Sequence, residues 1–100
     1  MLIRAIQRGD LPAGQMRAVT VAGTKVAIAH AGERFYAFDD TCTHMGCSLA
    51  DGELAGTTVT CACHGSRFDV TSGEVLGGPA EDPVRSRAVT IEGDDVLVER

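Results

Sequence analysis

Cysteine and histidine are concentrated in one short part of this chain. All four cysteines and two of the three histidines lie between residues 42 and 64. They form the segment Cys-Thr-His at 42–44 and, after sixteen intervening residues, the segment Cys-Ala-Cys-His at 61–64. Each segment offers a thiolate and an imidazole, so two such segments on facing loops can enclose a metal centre. We therefore expect a fold that brings residues 42–44 against residues 61–64.

The candidate ligands lie in a glycine-rich middle segment, residues 40–83. Strand-like pieces in this segment are short, at residues 57–60, 66–70 and 74–76. Glycine at this density is typical of tight turns and of backbone that approaches another group closely. The middle segment is therefore predicted to be a loop-rich insert presented by a rigid scaffold. Its glycines are Gly46, Gly52, Gly56, Gly65, Gly73, Gly77 and Gly78, and its prolines are Pro79 and Pro83.

The residues on either side of this segment alternate apolar and polar side chains, as β-strands do. No stretch has an apolar stripe of helical length, so the two ends are predicted to form an all-β base. We expect one domain, residues 1–100, with the base at about 1–39 and 84–100 and the insert at about 40–83. The predicted strands are residues 19–21 and 26–28, joined by a hairpin turn at Gly23-Thr24, then residues 34–38, then residues 87–92 and 96–99, joined by a turn at 93–95.

Several uses of the cysteines and histidines compete. Zinc accepts two thiolates and two imidazoles, but its usual spacing pairs cysteine with cysteine and histidine with histidine, whereas each segment here is mixed. Disulfides alone would explain the cysteines and not the histidines, and they are uncommon in the cytosol. A c-type haem requires Cys-x-x-Cys-His, which this sequence lacks. The mixed segments fit a two-iron cluster in which one iron has two cysteine ligands and the other has two histidine ligands.

Two sequence boxes resemble those that bind the cluster in Rieske iron–sulfur proteins. They are CTHMGCSL at residues 42–49 and CACHGSRFD at residues 61–69, and GGPAEDPV at residues 77–84 resembles the family's proline-containing third loop. The resemblance implies an all-β fold, with an antiparallel β-sandwich or barrel base and an inserted, loop-rich cluster-binding subdomain. It also implies one 2Fe-2S cluster per chain, covered by the loop that contains Gly78 and Pro79.

The resemblance assigns the cluster ligands residue by residue. Cys42 and Cys61 match the cysteine ligands of the inner iron, and His44 and His64 match the histidine ligands of the outer iron, which lies nearest solvent. With two neutral imidazoles the oxidised core carries no net charge, whereas four thiolates would leave it doubly negative. An electron enters a neutral centre in a low-dielectric environment more easily than an anionic one. The resemblance therefore implies a one-electron carrier rather than an enzyme with a substrate site of its own.

Cys47 and Cys63 match a pair that forms a disulfide between the two loops in one branch of the family. That branch includes the quinol-oxidising respiratory complexes. The competing interpretation is two free thiols. We predict the disulfide, and we expect burial beside the cluster to protect it from reductants.

Two further residues are expected to tune the reduction potential. Ser66 matches a serine that donates a hydrogen bond to a bridging sulfide in the high-potential branch, and its alternative is a plain turn residue. Phe68 occupies the position where that branch has a tyrosine whose hydroxyl reaches a cysteine sulfur, so this donor is missing. Hydrogen bonds to the sulfurs raise the potential. We therefore predict an intermediate potential, about 0 to +200 mV within the family range.

The remaining polar residues of interest are predicted to be structural. His30 lies in a predicted strand and is expected to be a structural histidine. The acidic pairs Asp39-Asp40 and Asp94-Asp95 are expected to be turn and surface residues.

The charge distribution bears on the choice of partner. Residues 39–82 contain eight acidic residues and one basic residue, Arg67, whereas the rest of the chain is slightly basic. Nucleic acid is a poor partner for such a surface, because phosphates require a basic footprint. A protein with a basic docking surface is a better one.

The leading functional hypothesis is a free-standing ferredoxin, monomeric when free and cytoplasmic. It would carry electrons from a reductase to a terminal oxidoreductase such as a ring-hydroxylating oxygenase. No apolar run approaches the ~20 residues that cross a bilayer, so no membrane partner is expected. The alternatives are a tightly bound Rieske subunit of a larger oxidoreductase, such as a nitrite-reductase-like small subunit or a quinol-oxidising complex, and a structural zinc module.

Overall fold

The structure, a computed structural model, describes residues 2–100, and its regular secondary structure consists almost wholly of short antiparallel strands. The strands form three sheets. Single turns of 3-10 helix lie at Arg8–Asp10 and Leu49–Asp51. The strands are β1 (Leu2–Gln7), β2 (Met16–Val21), β3 (Thr24–Ala31), β4 (Arg34–Asp39), β5 (Glu53–Ala55), β6 (Thr58–Thr60), β7 (Arg67–Asp69), β8 (Val75–Gly77), β9 (Ser86–Arg87), β10 (Val89–Glu92) and β11 (Asp95–Glu99).

Two of the sheets are formed by strands on either side of the middle segment, and together they make up the base. One has the strand order β2-β3-β4-β9, and the other has the order β1-β11-β10. Between them lies a core of branched aliphatic side chains that includes Val26 and Ile28 from β3 and Val96 and Val98 from β11. The predicted all-β, antiparallel fold is therefore confirmed.

Strand β3 is buried on both faces, and this explains how the third sheet is attached. Val26 and Ile28 face the core of the base, while Ala27 and Ala29, which alternate with them, belong to a second core. Successive side chains of a strand point to opposite faces, so one strand can serve two cores. The second core also contains Val59 and Phe68 of the middle segment.

The third sheet has the order β5-β6-β7-β8 and is formed by the middle segment. Its central hairpin joins β6 to β7, with Thr60 paired to Arg67 at the end of the ladder. The second cysteine–histidine segment lies between these two strands. The sheet therefore presents residues 61–66 as the loop at the tip of a hairpin.

Most strands of the base were predicted from the sequence, but the position of the first hairpin turn was wrong by one residue. The first hairpin turns at Ala22-Gly23, one residue earlier than predicted, because Thr24 already pairs with Val21. Ala22 and Gly23 both have positive φ, +50° and +83°. That conformation suits a two-residue turn between twisted strands.

Three strands were missed or misassigned. Arg87 was expected in the last hairpin, but it lies in β9, which pairs with β4. Strands β1 and β5 were not predicted at all. Among the residues that the structure describes, no helix is long and apolar enough to span a membrane.

Candidate metal centre

The two cysteine–histidine segments form loops with the same backbone geometry. We call residues 42–47 finger 1 and residues 61–66 finger 2. In finger 1 the N–H of Cys42 donates to the carbonyl of Cys47 at 2.8 Å, and the N–H of Gly46 donates to the carbonyl of Cys42 at 2.8 Å. Finger 2 repeats both bonds, from the first residue to the sixth and from the fifth to the first, at 2.8 and 3.1 Å. The fifth residue of each finger is a glycine with φ near +77°, which explains why glycine is required there.

The potential ligand atoms are divided between the inside and the outside of the fingers. Cys42 and Cys61 are free thiols, and each residue is only 3% exposed. His44 and His64 are exposed, and their ring centroids lie 5.1 Å apart with the ring planes nearly perpendicular. The two imidazoles are thus brought together at the surface, and the two thiols belong to one buried core cluster.

A disulfide joins the two fingers, as predicted. It links Cys47 of finger 1 to Cys63 of finger 2, with their Cα atoms 6.5 Å apart. The expected burial is wrong, because Cys63 is exposed and Cys47 is half-buried. The sulfur atoms of Cys47, Cys61 and Cys63 lie within 4.8 Å of one another, but only Cys61 keeps a thiol to offer a metal.

The proline-containing third loop is tied to both fingers. The hydroxyl of Thr43 in finger 1 donates to the carbonyl of Asp82 at 2.6 Å, and the N–H of Ala80 donates to the hydroxyl of Ser66 in finger 2 at 3.0 Å. Gly78 and Pro79 lie between β8 and these anchors and are exposed. The peptide bond between them is cis. These contacts hold the third loop beside the two fingers.

The two predicted tuning residues are buried. Ser66 is 1% exposed, and its hydroxyl accepts one hydrogen bond from the backbone of Ala80. The hydroxyl's own hydrogen therefore remains available for another acceptor. Phe68 is fully buried in the core beneath the fingers and carries no hydroxyl that could donate to a sulfur.

One expectation about the acidic residues is wrong. Asp40 was expected at the surface, but it is 1% exposed and accepts hydrogen bonds from the hydroxyl of Ser48 and from the N–H of Ala50. Asp39 forms an ion pair with Arg87 at 2.7 Å. Asp40 lies only two residues before Cys42, and its burial depends on contacts with Ser48 and Ala50 that no local pattern predicts.

His30 has the structural surroundings expected of it. Its Nδ1 lies 2.8 Å from the carbonyl of Leu11, and its ring stacks on Phe35 with the centroids 4.1 Å apart. It lies in β3, outside both fingers.

The available donors fit a 2Fe-2S cluster. The disulfide consumes two of the four cysteines, which leaves two buried thiols and two imidazoles in mixed pairs on matching fingers. That donor set is the one that a cluster with one cysteine-bound iron and one histidine-bound iron requires. Residues 2–88 also match the family described as the Rieske 2Fe-2S domain.

The chain belongs to the Rieske family. It therefore carries a 2Fe-2S cluster, and the structural zinc module is set aside. Two relatives in this Rieske family are ferredoxin components of dioxygenase systems. The ferredoxin component of the naphthalene 1,2-dioxygenase system of Pseudomonas aeruginosa is 34% identical over 97% of this chain and 93% of its own length. The ferredoxin component of biphenyl 2,3-dioxygenase of Rhodococcus jostii is 35% identical over 98% of this chain and 92% of its own length.

The fold of this Rieske protein also matches that of a solved structure. It is the complex of reduced oxygenase and oxidised ferredoxin in carbazole 1,9a-dioxygenase, and its matching chain superposes with a TM-score of 0.92. That chain is 32% identical, and the match covers 97% of this Rieske chain and 91% of the other. The similarity therefore extends over both base and fingers.

Proposed function

We propose that this Rieske protein is a ferredoxin that carries single electrons from a reductase to a ring-hydroxylating oxygenase. The observation that carries the proposal is the near full-length match to ferredoxin components of aromatic dioxygenase systems. A ferredoxin of the same fold is seen in complex with its oxygenase in carbazole 1,9a-dioxygenase. The protein would thus be an electron-transfer component and not the catalyst of the hydroxylation.

Within this proposal, Cys42 and Cys61 bind the inner iron, and His44 and His64 bind the outer iron. The assignment is supported by the burial of the two thiols and the exposure of the two imidazoles. The cluster supplies a site that accepts and releases one electron. Neutral imidazole ligands favour the reduced state of the cluster, because they add no negative charge to the core.

The exposed imidazoles support docking of an electron partner at the tips of the two fingers. Met45 of finger 1 is the most exposed large apolar side chain of the described residues, at 63%, and it adjoins His44. A small apolar contact at the tip suits a weak and fast-dissociating complex. The acidic residues of 39–82 would favour a partner with basic residues around its docking surface.

The alternative, a tightly bound subunit of a larger oxidoreductase, requires an extensive apolar surface on the base. Among the described residues of the base, the exposed large apolar side chains are Leu2 and Ile91, at 42% and 41%. Two such residues are ordinary for a protein surface. This favours the carrier, monomeric when free, over the permanent subunit.

The same proposal includes the organisation and location of the chain. It is a single Rieske domain with its base at about 1–39 and 84–100 and its cluster-binding subdomain at about 40–83. Its location is the cytoplasm, which fractionation of cells that express the protein would test.

The decisive experiment couples the purified protein to its proposed partners. Iron and acid-labile sulfide are measured first, and EPR of the reduced protein then follows the cluster during a redox titration. Reduced protein is next mixed with a purified ring-hydroxylating oxygenase, and its reoxidation is followed by visible absorption. We expect two irons and two sulfides per chain and reoxidation that depends on oxygenase concentration. Colourless protein containing zinc, or a reduced cluster that no such oxygenase reoxidises, would contradict the proposal.

A further inference from the structure

The two fingers differ in how their ends are held. Finger 2 is the tip of a regular hairpin, with β6 and β7 paired on either side of it and Thr60 opposite Arg67. Finger 1 has no such ladder, because its flanks form one isolated bridge, between Thr41 and Ser48. Beyond this bridge the chain turns into the 3-10 helix at Leu49–Asp51. Finger 1 therefore needs another device to hold its two ends together.

Asp40 supplies the missing connections. Its carboxylate accepts hydrogen bonds from the hydroxyl of Ser48 at 2.5 Å and from the N–H of Ala50 at 2.9 Å. Its backbone carbonyl accepts the N–H of Leu49 at 2.7 Å. Its own N–H donates to the carbonyl of Lys25 at 3.1 Å, at the start of β3. One residue thus ties the chain before the finger both to the chain after it and to the base.

The surroundings of the Asp40 side chain favour a structural role for its carboxylate. The residue is 1% exposed, and among residues 2–100 the ion pairs are those of Arg4 with Asp95 and of Arg87 with Asp39. The Asp40 carboxylate is therefore satisfied by hydrogen-bond donors of the chain that directly follows finger 1, and not by a basic side chain. Removing a buried acceptor leaves its donors unsatisfied, which costs more than an ordinary hydrogen bond contributes.

We infer that Asp40 is a positioning residue of the cluster, whose buried carboxylate clamps the ends of finger 1 and so holds Cys42. This inference rests on the ligand assignment proposed above. Cys42 lies two residues after Asp40, and Cys47 lies one residue before Ser48. The clamp therefore also fixes the finger 1 end of the disulfide.

Two substitutions distinguish the effect of the hydrogen bonds of Asp40 from the effect of its negative charge. Asp40→Asn removes the charge but keeps the shape, because the amide oxygen can accept from Ala50 and the amide nitrogen can donate to the hydroxyl of Ser48. Asp40→Ala removes both connections. The matched control is Asp69→Ala, because the carboxylate of Asp69 also accepts one backbone N–H and one hydroxyl, both from Thr71, without touching finger 1.

The test measures two properties of the cluster-loaded full chain. The first is hydrogen exchange by mass spectrometry, resolved for residues 42–50 and 61–66. The second is the rate at which a chelator removes iron, recorded with the EPR spectrum of the reduced protein. Loss of both hydrogen bonds of the Asp40 carboxylate in Asp40→Ala should speed exchange in residues 42–50 at least about tenfold and leave residues 61–66 unchanged.

Iron removal from Asp40→Ala should accelerate together with exchange, and its EPR lines should broaden because Cys42 is no longer held in one position. Asp40→Asn should keep the exchange rate and the rate of iron removal within about twofold of the wild-type values, and Asp69→Ala should leave both rates unchanged. If Asp40→Ala does not fold, Ser48→Ala removes one arm of the clamp and should give a smaller acceleration confined to residues 42–50.

Unchanged exchange in finger 1 of Asp40→Ala, or equal acceleration in both fingers, would overturn the inference. So would failure of Asp40→Asn to restore the exchange rate, because the charge and not the clamp would then be responsible. A wild-type protein without any cluster would instead contradict the proposed function, and the exchange comparison, made then on the cluster-free wild type and variants, would still decide whether the clamp exists.

Discussion

The backbone N–H of Ala80 donates a hydrogen bond to the hydroxyl of Ser66, with 3.0 Å between nitrogen and oxygen. This bond fixes the oxygen of a buried serine, the last residue of finger 2, and it uses the hydroxyl as an acceptor. The hydroxyl hydrogen is then directed away from Ala80. The resemblance to the high-potential branch predicts that it donates to a bridging sulfide of the cluster, where it would favour the reduced state.

Ser66→Ala is therefore expected to lower the reduction potential. A hydrogen bond to a charged acceptor contributes about 1.5 kcal/mol, which corresponds to roughly 60 mV for one electron. The measurement is a redox titration followed by EPR. Ser72→Ala is the control, because the Ser72 hydroxyl accepts only the N–H of Glu74 in an exposed turn. Equal potentials for Ser66→Ala and the wild type would show that Ser66 is a structural residue only.

Phe68→Tyr is expected to act in the opposite direction. Phe68 is fully buried beneath the fingers, at the position where the resemblance to the high-potential branch places a tyrosine. A hydroxyl that reaches a cysteine sulfur would raise the potential by a similar amount, roughly 60 mV. The same titration measures this change. A fall in potential, or a loss of stability without any change in potential, would mean that the hydroxyl does not reach the sulfur.

Replacement of a histidine ligand should lower the potential much further. His64→Cys replaces a neutral ligand by a thiolate, so the potential should move toward the value of about -400 mV typical of clusters with four cysteine ligands. The visible spectrum should change with it. His30→Gln is the control, because His30 contacts Leu11 and Phe35 and lies outside the fingers. An unaltered spectrum in His64→Cys would remove His64 from the ligand set.

The disulfide should stabilise the folded protein and remain sensitive to reductant. Its cysteines are 16 residues apart, and a loop of that size corresponds to about 3 kcal/mol of unfolding free energy. The double substitution Cys47→Ser, Cys63→Ser should lose this amount in denaturant unfolding of the cluster-loaded protein. Because Cys63 is exposed, a thiol reductant should destabilise the wild type and leave the double variant unaffected. Equal stability with and without reductant in the wild type would contradict this.

Gly52 is predicted to be essential for packing in the middle segment. Its φ is -85°, which other residues adopt, but an added Cβ would collide with the backbone carbonyl of Thr60. Thr60 directly precedes finger 2, so Gly52→Ala should shift this strand and cost at least about 2 kcal/mol of stability. Gly9→Ala is the control, because its Cβ would meet no atom within 4 Å. Thermal unfolding of both variants checks the difference.

The base was the most predictable part of the fold. In β3 the alternation of Val26 and Ile28 with alanines predicted a strand, because a period of two places these residues on one face. The same pattern did not show that Ala27 and Ala29 face a second core, which depends on the third sheet packing against them. Strand β9, of two residues, was misassigned because its existence depends on pairing with β4 and not on any local pattern.

The sequence by itself determined the donor types, their spacing and the glycines that let two loops adopt the same shape. Only the tertiary structure decided which cysteines are buried thiols, that Cys63 is exposed, and that Asp40 lies inside the molecule. Spacing along the chain is a local property, and elementary chemistry can interpret it. Burial is not local, because it depends on which distant strands pack over a residue, and here β3 and the third sheet meet only after the chain has folded.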